Sequence, residues 1–300
     1  MTQDTIVILD FGSQYTQLIT RSIREQSVYS LQLPWSTDAE IISSLQPAGV
    51  ILSGGPASIY SQNAPKFPPF LLTLNIPLLG ICYGMQAMAD ILDGDITAST
   101  SREFGYTQLT VDEQNPLIPK GVHQVWMSHG DQITKLPDGF SSLATSENTP
   151  LAAMGDLNRQ LFGVQFHPEV KHTSIGVEII NNFLFQICNI NASWTPSSII
   201  EESVSQIKKE IGNSRVLSAV SGGVDSSVAT ALVHKAVGNQ LDAVFVDTGL
   251  LRKNEVQDVN AALQENLSIN LKTVEMLIFL SKALIRKYKI TTFIKSNIKV

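Results

Sequence analysis

Short apolar runs alternate with helix-spaced apolar positions along the first part of the chain. The runs that predict buried strands lie at residues 5–10, 28–33 and 48–52. The patterns that predict helices lie at residues 14–26 and 38–45, the second capped by Thr37 or Asp38. In the first helix we expect Leu18, Ile19 and Ile23 to face inward. Strands that alternate with helices are typical of a parallel, doubly wound α/β sheet.

The pattern changes to shorter, more closely spaced strands in the middle of the chain. Residues 94–110 and 122–127 predict hairpins, and Met127-Ser-His-Gly-Asp131 is expected to close a strand. Further strands are predicted at residues 141–146, 151–154 and 159–166. A long helix is predicted at residues 174–187, with one apolar face formed by Val177, Ile180, Phe183, Leu184 and Ile187. The sheet is therefore expected to be mixed.

A polar linker at residues 191–196 separates two predicted domains, 1–190 and 197–275. After it, strand and helix patterns alternate again. Helices are predicted at residues 197–211 and 224–237, and strands at 215–220 and 241–246. This second domain is expected to be a partial, Rossmann-like parallel sheet.

Composition narrows the class of protein. The 300 residues are 43% hydrophobic and 16% charged, which is typical of a globular chain with about two domains. A formal net charge of −6 argues against nucleic-acid binding, and no apolar run is long enough for a membrane span. Two cysteines cannot form a disulfide scaffold, so we expect a reducing compartment, the cytoplasm or a plastid stroma.

The strongest chemical signal is Gly80-Ile-Cys82-Tyr-Gly84, which joins an apolar run to a helical pattern. A nucleophile on a sharp strand-to-helix turn needs glycines on both sides, because the turn leaves no room for side chains. The following helix N-terminus would favour a thiolate at Cys82. The alternative is a buried cysteine with only a packing role.

A second signal, His167-Pro-Glu169, follows a predicted strand. Residues i and i+2 of an extended segment point to the same side, so Glu169 can orient the imidazole of His167. Together with Cys82 these are the parts of an acyl-transfer site. The alternative for His167 is a loop histidine without a catalytic role.

These two motifs, with Ser53-Gly-Gly-Pro56, resemble the class I (triad) glutamine amidotransferases in order and spacing. The resemblance implies a flavodoxin-like fold and hydrolysis of glutamine through a thioester on Cys82. It implies an oxyanion hole formed by the N–H groups of Gly55 and Tyr83. It also implies that the two ends of glutamine are held by Gln86, Ser128 and His129, for which ordinary helix and turn roles are the alternative. Asp10 and Asp131 are either site residues or turn caps, and for Asp10 the cap is favoured.

The loop Ser221-Gly222-Gly223-Val224-Asp225-Ser226-Ser227 lies between a predicted strand and a predicted helix. Such a loop can bind phosphate through backbone N–H groups, although it lacks the Gly-Lys-Ser/Thr of a Walker A loop. It resembles the loop of the N-type ATP pyrophosphatases, an adenine-nucleotide α-hydrolase-like fold. That resemblance implies that all seven residues bind ATP and that Asp225 is linked to Mg²⁺. The alternative is a glycine-rich turn with a polar cap.

The order of the two parts resembles the glutamine-hydrolysing GMP synthetases, and Asp10-Phe-Gly-Ser-Gln-Tyr15 agrees with them. The resemblance implies the small-molecule substrates glutamine, ATP and XMP, with ammonia displacing AMP from adenylylated XMP. The alternatives are a stand-alone glutaminase and a non-catalytic binding fragment. An anthranilate synthase subunit is disfavoured because it would lack the loop at residues 221–227.

The resemblance weakens after residue 274. Residues 276–300 contain six basic residues and no acid, so we expect a tail foreign to the family, such as a shifted reading frame would give. The alternative is a basic amphipathic helix. The family continues with a C-terminal domain that helps bind XMP and carries the homodimer contacts, and we expect that domain to be absent here. The segment from residue 197 is then expected to be poorly packed, and residues 1–190 to fold independently.

Overall fold

The computed structural model describes residues 4–247, 251–265 and 267–275. The chain divides into two compact units, Met1–Thr195 and Pro196–Val300, and each is described here by itself. The tail predicted at residues 276–300 lies outside the described residues.

The first unit is built on a nine-stranded sheet with strand order β2-β1-β3-β4-β9-β8-β7-β5-β6. Its strands are β1 (Thr5–Asp10), β2 (Tyr29–Pro34), β3 (Gly49–Leu52), β4 (Leu78–Ile81), β5 (Asp95–Val111), β6 (Gly121–Lys135), β7 (Ser141–Ser146), β8 (Ala153–Asp156) and β9 (Leu161–Val164). The five strands from β2 to β9 in this order are parallel, and β8, β7, β5 and β6 continue the sheet with antiparallel pairing. The predicted mixed α/β sheet is confirmed.

Helices cover both faces of the parallel part. They are α1 (Thr16–Glu25), α2 (Ala39–Ser44), α3 (Tyr83–Ile91) and α4 (Gly176–Asn181), which continues to Ile187 as a π-helix. Alternate residues of a strand point to opposite faces. Accordingly Ile6 and Ile8 of β1 pack in one core with α1 and α4, whereas Val7 and Leu9 pack in the other with α2 and α3.

Three details of the sequence prediction are wrong. Leu18 and Val177 were expected to lie on the apolar faces of their helices, yet they are 39% and 58% exposed. Leu18 lies about 100° around the helix from Ile19, outside the buried stripe, and Val177 lies at the margin of its stripe. Residues 127–131 do not close a strand, since β6 continues to Lys135 in antiparallel pairing with β5. This long pairing places His129 opposite Glu103 and Ser128 opposite Phe104.

The second unit has a parallel sheet of β10 (Val216–Val220), β11 (Leu241–Asp247) and β12 (Leu271–Glu275). Its helices are α5 (Pro196–Ile211), α6 (Val224–Val237) and α7 (Glu255–Asn260). A small core around Phe245 and Leu263 lies on this sheet. In contrast, no residue of α5 is buried, and Val224 and Val228 of α6 are 77% and 52% exposed. Neither α7 nor β12 was predicted from the sequence.

No helix within the described ranges is both long and apolar enough to cross a membrane.

Candidate active site

Cys82 lies on a sharp turn between β4 and α3. Its φ of 50° is in the left-handed region, a strained position for a residue other than glycine. A Cβ atom on Gly80 would lie 2.6 Å from Met85 N, and one on Gly84 would lie 2.4 Å from Leu52 O. Glycine is therefore required at both flanking positions, as the elbow interpretation predicts.

Cys82 is 5% exposed, and its sulfur lies close to polar atoms of Ser128 and Gln165. Its Sγ lies 3.6 Å from the backbone O of Ser128 and 3.6 Å from Nε2 of Gln165. The backbone N–H of Cys82 donates to Val164 O at 2.7 Å, which ties the turn to β9. The sulfur of Cys82 is therefore contacted by residues that lie 46 and 83 positions further along the chain.

His167 and Glu169 form a buried pair. Nδ1 of His167 lies 2.7 Å from Oε1 of Glu169, and their side chains are 5% and 0% exposed. The backbone of His167 is fixed as well, because its N–H donates to Trp126 O and its carbonyl accepts from Thr173 Oγ1. The imidazole therefore has one preferred orientation, with Nδ1 bound to the carboxylate.

Two opposing effects set the pKa of His167. Burial lowers it, but hydrogen bonds and electrostatic interactions with Cys82 and Glu169 outweigh burial and raise it to about 10. His167 is thus an imidazolium at neutral pH, next to the sulfur of Cys82 and backed by the carboxylate of Glu169. An imidazolium in this position can stabilise a cysteine thiolate.

The glycine loop after β3 lies against this pair. A Cβ atom on Gly54 would lie 3.1 Å from Cε1 of His167 and 3.7 Å from Cβ of Cys82. Ser53 shapes the loop, since its buried Oγ accepts from Phe11 N and donates to Gly54 O. Gly55 is also required, because its Cβ would lie 2.7 Å from Phe11 O. The backbone at Gly54 therefore lies beside both Cys82 and His167.

Gln86 is buried within the first unit. Its Nε2 donates to the backbone O of Asp131 at 2.8 Å and to Oε1 of Gln165 at 3.2 Å. Both hydrogens of this amide nitrogen are thus used by protein acceptors. A contact between Gln86 and a bound glutamine would therefore have to use Oε1 of Gln86.

Ser128 faces the sulfur with its backbone carbonyl, whereas the side chain of His129 is occupied elsewhere. Nδ1 of His129 lies 3.1 Å from Asp131 O, and Nε2 lies 3.4 Å from Oε2 of Glu103. Burial lowers the pKa of His129, and the opposing effect of Glu103 is smaller. His129 is therefore neutral at pH 7. Glu103 also accepts hydrogen bonds from Thr149 and Asn148.

Asp10 caps the turn after β1. Its carboxylate accepts from Gly12 N, Thr16 Oγ1 and Gln32 Nε2. The turn leads to Tyr15, whose ring packs edge-on with His167 at a centroid distance of 5.3 Å. The cap was the favoured interpretation of Asp10.

Sequence reasoning did not identify Gln165 or Tyr15 as neighbours of the reacting groups. For Gln165 a signal existed, because it precedes His167 by two residues, as His167 precedes Glu169. In extended backbone this alternation places polar side chains on one side. For Tyr15 the sequence carries no such pattern.

The second unit holds the predicted phosphate loop between β10 and α6. Gly222 has a φ of 78°, which favours glycine. The hydroxyl of Ser226 accepts from Ser221 N at 3.1 Å and donates to Gly223 O at 3.0 Å, and Ser227 Oγ also donates to Gly223 O. The carboxylate of Asp225 is exposed in the first turn of α6. Within the described ranges, no three His, Cys, Asp or Glu side chains are grouped as metal ligands.

The fold and the Cys–His–Glu geometry define the class of protein. Residues 7–187 match the family Glutamine amidotransferase class-I, and the chain belongs to this family. A protein of Thermoplasma acidophilum, whose crystal structure is named as one part of a GMP synthase, is 30% identical to this chain. That structure aligns with a TM-score of 0.55 over 63% of this chain and 96% of its own.

More similar relatives carry a more specific name. A protein of Lactobacillus delbrueckii subsp. bulgaricus named GMP synthase [glutamine-hydrolyzing] is 47% identical over 275 residues, 91% of this chain and 53% of its own length. The protein of that name from Syntrophomonas wolfei is 49% identical over 278 residues, 92% of this chain and 54% of its own. This chain therefore spans about half the length of the curated relatives that it matches. Residues 197–300 are similar to the family NAD synthase, and this match extends over the predicted tail.

Proposed function

We propose that Cys82 hydrolyses glutamine and that the ammonia serves GMP synthesis from XMP and ATP. The proposed glutamine hydrolysis rests on one observation: the buried side chain of His167 contacts Cys82 on one side and Glu169 on the other. The second half is supported by the relatives named GMP synthase [glutamine-hydrolyzing] and by the loop at residues 221–227.

The acylation step follows from the contact between the sulfur of Cys82 and the imidazolium of His167. The Cys82 thiolate attacks the side-chain carbonyl carbon of glutamine, forming a C–S bond while the carbonyl electrons move onto oxygen. The N–H groups of Gly55 and Tyr83 are proposed to stabilise this oxyanion. Tyr83 is the first residue of α3, so its N–H has no acceptor within the helix.

Collapse of the tetrahedral intermediate breaks the C–N bond. The imidazolium of His167 gives its proton to the departing nitrogen, so ammonia leaves and a γ-glutamyl thioester remains. The neutral imidazole then takes a proton from water, which attacks the thioester and releases glutamate and the Cys82 thiolate. Oε1 of Gln86 and the backbone at Ser128 and His129 are proposed to hold the α-amino and carboxylate groups of glutamine.

The second unit is proposed to bind the ATP phosphates at residues 221–227. The loop geometry supports this role, because Ser226 and Ser227 fix the Gly223 carbonyl and the first N–H groups of α6 have no acceptor within the helix. A single exposed carboxylate fits Mg²⁺ that arrives with ATP, since this ion binds mainly to phosphate oxygens and water, and Asp225 would hold it. Magnesium would neutralise phosphate charge during adenylylation of XMP.

A stand-alone glutaminase is a second candidate, favoured by the loose packing of helix α5 in the second unit, where no residue is buried. Two assays separate the candidates: glutamate release from glutamine, and GMP formation from XMP, ATP and ammonium. Glutaminase activity that Cys82→Ala abolishes, together with GMP formation, supports the full proposal. Glutaminase activity without GMP formation supports the second candidate, and the absence of glutamate release contradicts both. A cytoplasmic or stromal location is also proposed, in keeping with two free cysteines.

A further inference from the structure

Gln165 is the side chain that faces the sulfur of Cys82 from the end of β9. It is completely buried, and its backbone N–H donates to Ala152 O at 2.9 Å. Moving the residue away from the site would break this backbone hydrogen bond. Its Nε2 lies 3.6 Å from Cys82 Sγ, within the range of a hydrogen bond to sulfur. Its Oε1 accepts from Gln86 at 3.2 Å.

The orientation of the Gln165 amide follows from the backbone carbonyl of Asp131, to which Gln86 links it. The carbonyl oxygen of Asp131 can only accept, so the Gln86 atom 2.8 Å from it must be Nε2. The same nitrogen faces Gln165, whose nearer atom must therefore be the acceptor Oε1. The remaining atom of the Gln165 amide, the donor Nε2, is then directed at the sulfur.

We propose that Gln165 is a further catalytic residue, whose side-chain amide donates a hydrogen bond that stabilises the Cys82 thiolate. A hydrogen bond to the charged form of a group favours that form, and the effect is larger in a buried site. Ser128 O has the opposite effect, because a carbonyl oxygen accepts from the thiol and repels the thiolate. Gln165 offsets this repulsion both before attack and when the thioester is cleaved. The proposal rests on the proposed role of Cys82 as nucleophile.

Titratable side chains near this site include Tyr15, His167 and Glu169, and His129 and Asp131 on β6, with Glu103 beside His129. They are unchanged in the variants described below, so a shift in the thiol titration can be assigned to residue 165. Cys188 does not interfere, because burial raises the pKa of its thiol far above the usual range.

The test is the pH dependence of Cys82 alkylation by iodoacetamide in the full chain, with the label located by peptide mass spectrometry. Gln165→Met keeps the side-chain length and removes the donor. We expect its alkylation midpoint to rise by about one pH unit, and its rate below the midpoint to fall about tenfold. The control is Gln132→Met, a glutamine of β6 whose Oε1 is buried without a hydrogen-bond partner among the described residues. It should keep the midpoint of the unmodified protein.

An unchanged midpoint in folded Gln165→Met would overturn the proposal. Should that variant not fold, the unmodified protein decides through the NMR signals of the Gln165 side-chain amide. Those protons should shift as Cys82 ionises, and amide signals that do not respond would equally reject the hydrogen bond. The alkylation profile does not require turnover, so a chain that fails to hydrolyse glutamine still tests the role of Gln165 separately.

Discussion

Glu169 Oε1 lies 2.7 Å from His167 Nδ1, while the other carboxylate oxygen, Oε2, is buried without a hydrogen-bond partner among the described residues. The charge of this carboxylate is therefore balanced mainly through the imidazolium. This dependence runs in both directions, because Glu169 also helps to raise the pKa of His167.

Glu169→Gln should lower the glutaminase kcat by about two to four orders of magnitude. The amide would no longer stabilise the imidazolium, so the proton needed by the departing ammonia would be lost. The measurement is kcat for glutamate release, with circular dichroism to show that the fold persists. The matched control is Glu178→Gln, an exposed residue of α4, and equal activity losses in both variants would contradict the assignment.

Gly54→Ala and Gly84→Ala should separate activity from stability. The added Cβ at position 54 would press on His167 Cε1 from 3.1 Å, so kcat should fall at least tenfold with little change in Tm. The Cβ at position 84 would lie 2.4 Å from backbone O of Leu52, so this variant should lose about 2 kcal/mol or more of unfolding free energy. Thermal melts and kcat check both. A larger loss of stability in Gly54→Ala than in Gly84→Ala would contradict this prediction.

The free energy of unfolding should fall as pH drops below about 6.5, the usual pKa of histidine. His129 has a lowered pKa in the folded chain, so the unfolded chain binds this proton first as the pH falls. The stabilisation is complete above the unfolded pKa and is lost as pH falls through the folded pKa. Urea unfolding between pH 7 and 5 measures the slope. His129→Asn should flatten it, and a slope unchanged in this variant would assign the effect to another group.

Ser226→Ala should weaken ATP binding about tenfold. Its hydroxyl accepts from Ser221 N and donates to Gly223 O, so the loop loses two of the bonds that define its shape. Isothermal titration with ATP and Mg²⁺ measures the affinity. Ser198→Ala, on α5, serves as the control. Glutaminase activity should be the same in both variants, and equal ATP affinity would show that the loop shape does not depend on Ser226.

Limited proteolysis should cleave first within residues 196–211. The helix there has no buried residue, so it can open without disrupting a core. The expected product is a stable fragment that ends near residue 195, identified by mass spectrometry. A protected fragment that extends well past residue 220 would contradict this expectation.

The sequence was most informative where chemistry and local geometry coincide. Gly80 and Gly84 predict a tight turn at Cys82. In the structure, backbone atoms lie too close to both glycines for a Cβ atom to fit. The helix at Val224–Val237 was predicted with its observed bounds because a glycine pair precedes it and Gly238 follows it. Local signals of this kind do not depend on the rest of the fold.

Non-local relationships were much harder to predict. Gln165 acts on Cys82 only because β9 pairs with β4, which joins residues 83 positions apart in the sequence. The continuation of β6 to Lys135 likewise depends on its partner β5 rather than on its own pattern. Val177 was misplaced because periodicity gives the direction of a stripe but not its width, and Leu18 because it lies outside the stripe that Ile19 and Ile23 form.

The position of β9 in the sheet also bears on how the protein folds. This strand inserts between β4 and β8, and it leads directly into the residues that face the sulfur. Contacts that join distant parts of a chain form slowly, since a long loop must close first. Refolding from denaturant should therefore restore helix signal before it restores the native alkylation rate of Cys82. The alkylation rate of Cys82 during refolding therefore measures when β9 pairs with β4.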